Sequence, residues 1–376
     1  MIAVTVLSIA LILLILLDSF EGMVLPRRVA RQYRPRRLFY LALWAPFSRA
    51  ACWTTNLANR QMILAWFGPL SMLLLFVFWA VLLIFAFALL NWSIATPMHN
   101  TSGPPSLWTC LYFSGVTFFT LGFGDITPAN GLGRALAVLE AGTGFGFLAI
   151  LIGYVPAIQQ VFSERESLIS MLDARAGSPP TGSQILIRMA RTGSLDALDP
   201  LLAEWERWCA RLLESNISFP VLAYYRSQHD NQSWLAALTA ILDCCALAIA
   251  GTRGTNTYQA QVTFAMARHA AVDLAMIFFT PPVSGAADRL PAPEIARLQA
   301  QFTAAGFDVD IEKLAELRRM YEPFVMALGQ RLRYALPPIV AEPGKADNWQ
   351  SSAWTRKVEG IDHLGERASV RNDHFD

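Results

Sequence analysis

The sequence predicts an all-α membrane protein, with a first part that spans a bilayer and a second part that is a helical domain outside it. The 376-residue chain is 54% hydrophobic, and most of the excess lies in the first 162 residues. Long apolar runs there are comparable to the roughly 20 residues that cross a bilayer. After Phe162 the chain becomes charged. Gly and Pro separate its predicted helices, which cover roughly residues 164–175, 183–191, 197–215, 219–227, 232–250, 257–279, 292–304 and 309–335. Because we find no convincing alternating strand, we expect helices throughout.

Three apolar segments are predicted to be transmembrane helices. The first covers residues 2–17 and lacks the basic start and the small-residue cleavage site of a signal peptide. The second runs over about residues 62–90, with Pro69 near its start, and the third over residues 132–156. Pro156 lies near the inner end of the third segment, where we expect a kink.

Charge asymmetry orients these helices. Residues 27–60 contain eight arginines, whereas residues 91–133 contain no Lys or Arg. Short cytoplasmic segments collect basic residues, so we expect the N-terminus outside and the C-terminal domain in the cytoplasm. The expected location is the inner membrane of a bacterial cell. Aromatic residues interleave with the arginines at 27–49, which also suits a segment lying on anionic lipid headgroups.

A glycine-containing stretch lies between the second and third spans. Residues 107–119 are too short to span the bilayer and suit a re-entrant helix of about three turns. They lead into Thr120-Leu121-Gly122-Phe123-Gly124, here named the glycine strip (residues 120–124). Irregular backbone at membrane depth is tolerated only where it is buried in protein or lines a water-filled path. The strip is therefore the leading candidate for a functional site.

The run Leu-Tyr-Phe-Ser-Gly-Val-Thr-Phe-Phe-Thr-Leu-Gly-Phe-Gly-Asp-Ile-Thr-Pro at residues 111–128 resembles the pore helix and selectivity filter of the potassium channel superfamily. The span–pore loop–span order of residues 62–162 is similar to the two-helix pore module of its bacterial members. The resemblance implies that K⁺ is bound by the carbonyl groups of Thr120, Leu121, Gly122 and Phe123, together with the Thr120 hydroxyl. It also implies that Gly122 and Gly124 adopt backbone angles that are costly for a residue with a Cβ.

Further roles follow from the same resemblance. Asp125 corresponds to the acid just outside the filter, and Tyr112 and Phe113 correspond to the aromatic cuff around it. Gly144 falls at the position of the gating hinge of the inner helix, with close helix packing as the alternative role.

Three side chains differ from the commonest family pattern. Phe119 stands where a second Thr is usual, Leu121 where Val or Ile is usual, and Phe123 where Tyr is commoner. These differences change the packing behind the filter and leave the carbonyl ladder intact. A weakly selective cation channel is therefore the alternative to a potassium-selective one.

Glu140 is the one acid within the third span. Ionisable groups inside a membrane are functional candidates by default. Three interpretations remain open: a hydrogen-bonded brace of the filter region, an acid in the water-filled vestibule, or a hydrated residue near the outer end of the helix.

One pore loop per chain cannot close a ring, so the resemblance implies a homotetramer. The permeant ion would be K⁺, and no cofactor is expected. The formal net charge of +1 gives no hint of a nucleic-acid partner. No span carries arginine at every third position, which excludes a voltage sensor of the Arg-rich type. The cytoplasmic region resembles neither nucleotide-binding nor cyclic-nucleotide-binding regulatory domains.

The cytoplasmic region offers only weak candidates for a ligand site. His229 could sense a ligand or pH, but its neighbours Asp230 and Asn231 also suit the cap of a helix. His269 and Asp273 lie one helical turn apart, as in a metal site or an ordinary pair. We find no catalytic constellation and predict a protein that is not an enzyme.

We expect five segments and a channel gated through its cytoplasmic domain by an unidentified ligand or partner. A non-conducting membrane sensor that binds a cytoplasmic partner is the alternative from a different class. The segments are an N-terminal transmembrane helix (1–17), a basic cytoplasmic linker (18–61), a pore module (62–162), a helical cytoplasmic domain (163–339) and a partly disordered polar tail (340–376).

Overall fold

The computed structural model describes residues 1–23, 35–100, 103–177, 179–227, 232–251, 257–283 and 288–341, without the side chains of Arg37, Leu57 and Ala58. Within these ranges the chain is almost entirely helical, and the strands are two residues long. The predicted all-α fold class is thereby confirmed. The chain divides into two units, Met1–Gln160 and Val161–Asp376, and the division falls inside one long helix.

The first unit contains the long apolar helices. Among the described residues, three helices that begin in this unit are long and apolar enough to cross a membrane, namely the first, third and fifth of the chain. The segment expected to be a linker contains a helix of its own, the second of the chain, which forms even though Pro46 lies in its interior. The helices are α1 (Ile2–Met23), α2 (Pro35–Trp53), α3 (Leu57–Ser93), α4 (Leu107–Phe118) and α5 (Gly131–Ala176), the last of which continues into the second unit.

Helix α1 lies antiparallel to the second half of α3. The hydroxyls of Thr5 and Ser93 are 2.9 Å apart near one end. Near the other end the indole Nε1 of Trp79 donates to Asp18 Oδ2 at 3.0 Å. The same Asp18 oxygen accepts from the backbone N–H of Arg36, in the first turn of α2, at 3.2 Å. One carboxylate therefore joins three helices.

Helix α2 lies antiparallel to the first half of α3 and packs through aromatic rings. The rings of Phe39 and Phe78 are 5.3 Å apart, and those of Trp44 and Phe67 are 4.7 Å apart. Because α3 begins at Leu57, Pro69 lies in its interior instead of near its start. The full length of α3 is thus covered by two partners in succession.

The segment that follows α3 is hydrogen-bonded to the segment that follows the glycine strip. Strand β1 (Met98–His99) pairs antiparallel with β2 (Thr127–Pro128), with Met98 opposite Pro128. Next to this pair, Ala129 N–H donates to the Pro97 carbonyl at 2.8 Å. Asn130 Oδ1 accepts from Gly133 N–H at 2.8 Å and so caps the start of α5. These contacts fix both ends of the loop that carries the strip.

The second unit is a helical bundle around one buried helix. Its central helix, Trp234–Gly251, is also long and apolar enough to cross a membrane, but 94% of this helix is buried inside the protein. A helix that is apolar on all sides and covered by other helices is the core of a bundle. The helices after α5 are α6 (Gly182–Arg191), α7 (Leu198–Ser218), α8 (Trp234–Gly251), α9 (Tyr258–Ile277), α10 (Ala292–Ala304), α11 (Ile311–Arg319) and α12 (Glu322–Leu332).

Three helix boundaries in this region differ from the sequence-based expectation. The predicted helix 309–335 is two helices, because Pro323 begins α12 and cannot continue a preceding helix. The predicted helix 219–227 is the short 3-10 turn Pro220–Tyr224. The third span and the charged helix after it, expected as separate elements, form one helix in which Pro156 is an interior residue.

Candidate functional site

The glycine strip has an alternating backbone. Thr120, Gly122 and Gly124 have φ angles of +55°, +61° and +77°, whereas Leu121 and Phe123 between them are not among the positive-φ residues. A φ angle whose sign reverses at every second residue is the pattern expected of a backbone that directs successive carbonyl groups to one side. No atom would obstruct a Cβ at Gly122 or Gly124. The requirement for glycine is therefore conformational, as the sequence predicts.

The carbonyl oxygens of residues 120–123 lack internal donors. Among the residues that the structure describes, no hydrogen bond is donated to these four oxygens. Residues 120–124 are exposed on the single chain, so this row of carbonyl groups is open to water, an ion or another chain. The Thr120 and Leu121 amides, in contrast, donate to the carbonyls of Thr117 and Val116 at 3.0 and 2.9 Å. These bonds hold the start of the strip against the end of α4.

Asp125 is held from two directions. Its Oδ2 accepts a 2.8 Å hydrogen bond from the phenol of Tyr112 on α4, and its backbone carbonyl accepts one of 2.8 Å from the Asn100 amide. Phe113, the second residue predicted for the aromatic cuff, is buried in a cluster with Ala88, Met98 and Cys110. The two neighbours in sequence thus play different parts: Tyr112 contacts the acid after the strip, and Phe113 packs α4 onto α3.

The apolar side chains of the strip and its flank are exposed on a single chain. Phe119, Leu121 and Phe123 have relative exposures of 60%, 56% and 65%. Large neighbouring apolar side chains that remain uncovered mark a contact surface.

Gly144 makes the closest approach of α5 to α4. A Cβ on Gly144 would overlap the carbonyl oxygen of Phe118, the last residue of α4. By contrast, Gly142, Gly146 and Gly153 on the same helix have open space where a Cβ would lie. Close packing therefore explains Gly144 in this structure, whereas its role as a hinge stays a prediction.

Glu140 lies one helical turn before Gly144 and is fully buried. Its Oε1 is hydrogen-bonded to the hydroxyl of Ser114, which is also fully buried on α4. The same hydroxyl lies 2.8 Å from the Ile84 carbonyl of α3. Three helices thus converge on one hydroxyl, and within a single chain Glu140 faces protein instead of a water-filled vestibule.

Sequence-based reasoning missed two residues of this unit. Ser114 was not singled out because a hydroxyl in a re-entrant helix carries no signal of its partner. Asp18 was assigned to the start of a linker because it follows the apolar run, yet it is 2% exposed and lies inside α1. The signal that could have found it is the general rule that acids within a membrane helix mark functional or structural sites.

In the second unit, Arg165 fixes the last part of α5. Its side chain is 5% exposed and donates to the carbonyls of Leu222 and Tyr225 at 2.9 Å each. Its guanidinium carbon also lies 5.1 Å from the centre of the Phe162 ring. Trp208 Nε1 on α7 donates to the Arg165 backbone carbonyl at 3.3 Å. The C-terminal part of α5 is therefore bound to α7 and to the turn that follows it.

A second buried polar cluster lies around Asp243 on α8. Arg289 donates to both of its carboxylate oxygens at 2.7 and 3.2 Å, and Arg289 also pairs with Glu322 at 3.3 Å. Tyr321 donates its phenolic proton to Asp243. Burial, together with the charge of Asp243, raises the pKa of Tyr321 well above its usual value, so the phenol remains a donor. Burial alone would lower the pKa of Arg289, but the charge and hydrogen bonds of Asp243 outweigh it and raise the pKa.

The remaining candidates from the sequence have simple surroundings. His269 Nε2 lies 3.6 Å from Asp273, and the histidine side chain is 61% exposed. Within the described ranges, no group of three or more His, Cys, Asp or Glu could hold a metal ion. His229, the tail after residue 341 and most of the arginines at 27–37 lie outside the described residues.

Comparisons with known proteins agree with this arrangement. A family model described as an ion channel matches residues 72–158, which contain most of α3, all of α4, the glycine strip and the first part of α5. The uncharacterized membrane protein YdjJ of Bacillus subtilis (strain 168) is 25% identical over 276 residues, covering 72% of this chain and 80% of that protein. No solved structure matches the chain. Residues 72–158 are therefore similar to an ion-channel family, and they contain the glycine strip and the helices on either side of it.

Proposed function

We propose that the protein is a potassium-selective channel that conducts K⁺ passively through the glycine strip. The observation that carries this proposal is the alternating backbone of Thr120, Gly122 and Gly124, combined with four carbonyl oxygens that no described residue satisfies. Carbonyl rings of this kind replace the hydration shell of K⁺. Asp125 then lies at the outer mouth, with its carboxylate oriented by Tyr112.

We also propose that four copies surround the conduction pathway. A single strip cannot encircle an ion, and cyclic homo-oligomers close a ring with one repeated interface. Support comes from the exposed side chains of Phe119, Leu121 and Phe123, which need an apolar partner. A four-fold density for the purified particle would test this assembly, and a monomer or dimer in mild detergent would contradict it.

Potassium flux into vesicles that contain the purified protein tests the filter. We expect wild-type protein to pass K⁺ and the Gly122→Ala variant to pass much less, because alanine is strained at a φ of +61°. Gly142→Ala is the matched control, since that glycine is helical and a Cβ there meets no atom within 4 Å. Equal flux in wild type and Gly122→Ala would refute the assignment of the strip.

Reversal potentials distinguish the remaining functions. A potassium-selective filter gives a reversal potential that follows the K⁺ gradient and ignores Na⁺, whereas a weakly selective cation channel responds to both. Wild-type protein that assembles but passes neither ion would support a non-conducting membrane sensor instead.

We propose that the second unit gates the channel. Helix α5 is continuous from Gly131 to Ala176, and its last part is held by the buried Arg165. A displacement of the bundle that holds this part would act on the same helix that follows the glycine strip. The stimulus is an unidentified cytoplasmic ligand or partner. Excision of residues 177–376 should then change the open probability and leave ion preference intact, and the opposite result would refute the proposal.

The proposed orientation places the N-terminus outside and α2 at the cytoplasmic face of the inner membrane. Residues 22–124, which include the eight arginines between residues 27 and 60, contain no acidic residue. Arg49 is exposed on α2, and the apolar side chains of Leu38, Leu41 and Trp53 are exposed on the same helix. This combination suits contact with anionic headgroups. Binding to vesicles with and without anionic lipid would test it.

A further inference from the structure

Glu140 is a buried acid whose surroundings go beyond what the ion-channel assignment explains. It is fully buried on α5, and its Oε2 has no hydrogen-bond partner among the described residues. Its one polar contact there is between Oε1 and the Ser114 hydroxyl. A charged carboxylate in this position would be a buried charge with a single hydroxyl as its partner, which is an expensive arrangement.

The number of available protons indicates which group donates. The Ser114 hydroxyl has one proton, and its oxygen is within hydrogen-bond distance of both Glu140 Oε1 and the Ile84 carbonyl oxygen at 2.8 Å. The Ile84 carbonyl can only accept, so it takes the hydroxyl proton. The contact between Ser114 and Glu140 then requires a proton from the carboxyl group. Both contacts are hydrogen bonds at the same time only if Glu140 is the neutral acid.

The position of this contact links it to the glycine strip. Ser114 and Phe118 are four residues apart on α4, and Glu140 and Gly144 are four residues apart on α5. Residues at this spacing share one face of a helix. The α4–α5 contact therefore has two levels: the Glu140–Ser114 hydrogen bond, and the close approach of Gly144 to the Phe118 carbonyl. The strip begins two residues after Phe118, so a shift of α4 along α5 would carry the strip with it.

We propose that Glu140 is a positioning residue, held as a neutral carboxylic acid, that fixes the height of α4 and thereby aligns the glycine strip. The chain of bonds runs from the Glu140 carboxyl proton to Ser114 Oγ, and from the Ser114 hydroxyl proton to the Ile84 carbonyl. This deepens the proposed function and rests on it, because the alignment matters for conduction only if the strip is the filter.

Infrared spectroscopy of the full-length protein in vesicles tests the neutral acid without any measurement of conduction. A protonated carboxyl group has a carbonyl stretching band separate from those of carboxylates and amides. We expect such a band at neutral pH in wild type, and we expect the Glu140→Gln variant to lack it. A spectrum in which wild type and Glu140→Gln do not differ in this band would overturn the assignment of a neutral acid.

Flux and ion preference test the positioning role through a matched pair of substitutions. Glu140→Gln keeps both a donor and an acceptor at the same length, whereas Glu140→Leu keeps most of the volume and removes the hydrogen bond. We expect Glu140→Gln to retain wild-type flux and K⁺ preference. Glu140→Leu should lose at least about tenfold in K⁺ flux or in preference over Na⁺, the change expected for about 1.4 kcal/mol. Equal behaviour of the two variants would overturn the proposal.

Ser114→Ala provides a second measurement if Glu140→Leu does not assemble. It removes the hydroxyl that joins the three helices while leaving the volume almost unchanged, and it should reproduce the loss of flux or ion preference. Normal conduction in Ser114→Ala would contradict the positioning role. If wild type itself conducts no ion, the proposed function fails, whereas the infrared band still decides whether Glu140 is neutral.

Discussion

The phenol of Tyr112 donates a 2.8 Å hydrogen bond to the carboxylate of Asp125, and this contact joins the helix before the glycine strip to the acid after it. The strip is thus the middle of a closed loop, because α4 leads into it and the Asp125 side chain after it is hydrogen-bonded back to α4. The Asn100 amide holds the Asp125 carbonyl from the other side at 2.8 Å. A backbone without internal donors to its carbonyls gains its fixed shape from such contacts at its ends.

Tyr112→Phe should weaken the conducting state. The bond is made to a carboxylate, but Tyr112 is 43% exposed, so water competes for the same oxygen and the loss is modest. We therefore expect a smaller ratio of conducting to non-conducting channels, measured from single-channel recordings. Asp125→Ala should have a comparable effect. If the two act through this bond, the double variant should be little worse than either single one, and strictly additive losses would refute the link.

Gly144→Ala should destabilise the contact between α4 and α5. The added Cβ would overlap the Phe118 carbonyl oxygen, and overpacking of this kind costs about 1–3 kcal/mol. The expected result is a lower thermal stability of the purified protein together with reduced flux. Gly146→Ala is the control on the same helix, because a Cβ there has open space. A Gly144→Ala variant as stable as Gly146→Ala would show that the close approach is not required.

The site could be predicted because its residues are neighbours in the sequence. The resemblance of residues 111–128 to a channel filter implied the special backbone angles of Gly122 and Gly124, and the short apolar run at 107–119 indicated a re-entrant helix. Most helices of the second unit were also located from their breakers, since clusters of Gly and Pro between helical patterns commonly mark the end of a helix. Single prolines are weaker signals: Pro69 and Pro156 lie inside α3 and α5, because neighbouring contacts can satisfy the backbone group that a proline leaves unpaired in a membrane helix.

Contacts between residues far apart in the sequence could not be predicted. Asp18 meets Trp79, Glu140 meets Ser114, and Arg289 meets Asp243, at separations of 61, 26 and 46 residues. A single sequence gives the chemical type of each residue but does not indicate its partner. For that reason Asp18 and Ser114 escaped notice, and the role of Glu140 remained open among three alternatives.

Arg289→Met should strongly destabilise the second unit. It leaves Asp243, whose side chain is 0% exposed, as a buried charge without its main partner. Breaking a buried pair in this way costs about 3–5 kcal/mol. Denaturant unfolding of the full-length protein, followed by helical circular dichroism, should show an early loss of part of the signal. Arg297→Met is the control, because its pair with Glu294 is partly exposed and is worth about 1 kcal/mol or less.

Asp288 should make the stability of the second unit depend on pH in the acid range. Partial burial raises the pKa of Asp288, but hydrogen bonds from Arg318 and the Leu290 amide outweigh it, and the pKa is lowered. A lowered pKa contributes stability that is fully present above the usual value of about 3.9 and is lost as the pH falls through the folded-state pKa. We expect Asp288→Asn to reduce stability slightly at neutral pH, with a difference from wild type that shrinks as the pH falls through the lowered pKa of Asp288. A difference that is constant across this range would contradict the assignment. The side chain is 58% exposed, so the effect is small.

Arg165→Lys should alter gating without altering ion preference. The guanidinium reaches the Leu222 and Tyr225 carbonyls through two separate nitrogens, at 2.9 Å each, and a lysine ammonium cannot reproduce that fork. If the bundle acts on α5 through this residue, looser attachment should change the open probability while the reversal potential stays the same. Arg175→Lys is the control on the same helix. The Arg175 side chain is 44% exposed, and its ion pair with Glu204 is long, at 4.0 Å. A folded Arg165→Lys channel with wild-type open probability would mean that the bundle acts on α5 through residues other than Arg165. A shifted reversal potential would instead mean that this part of α5 affects the filter itself.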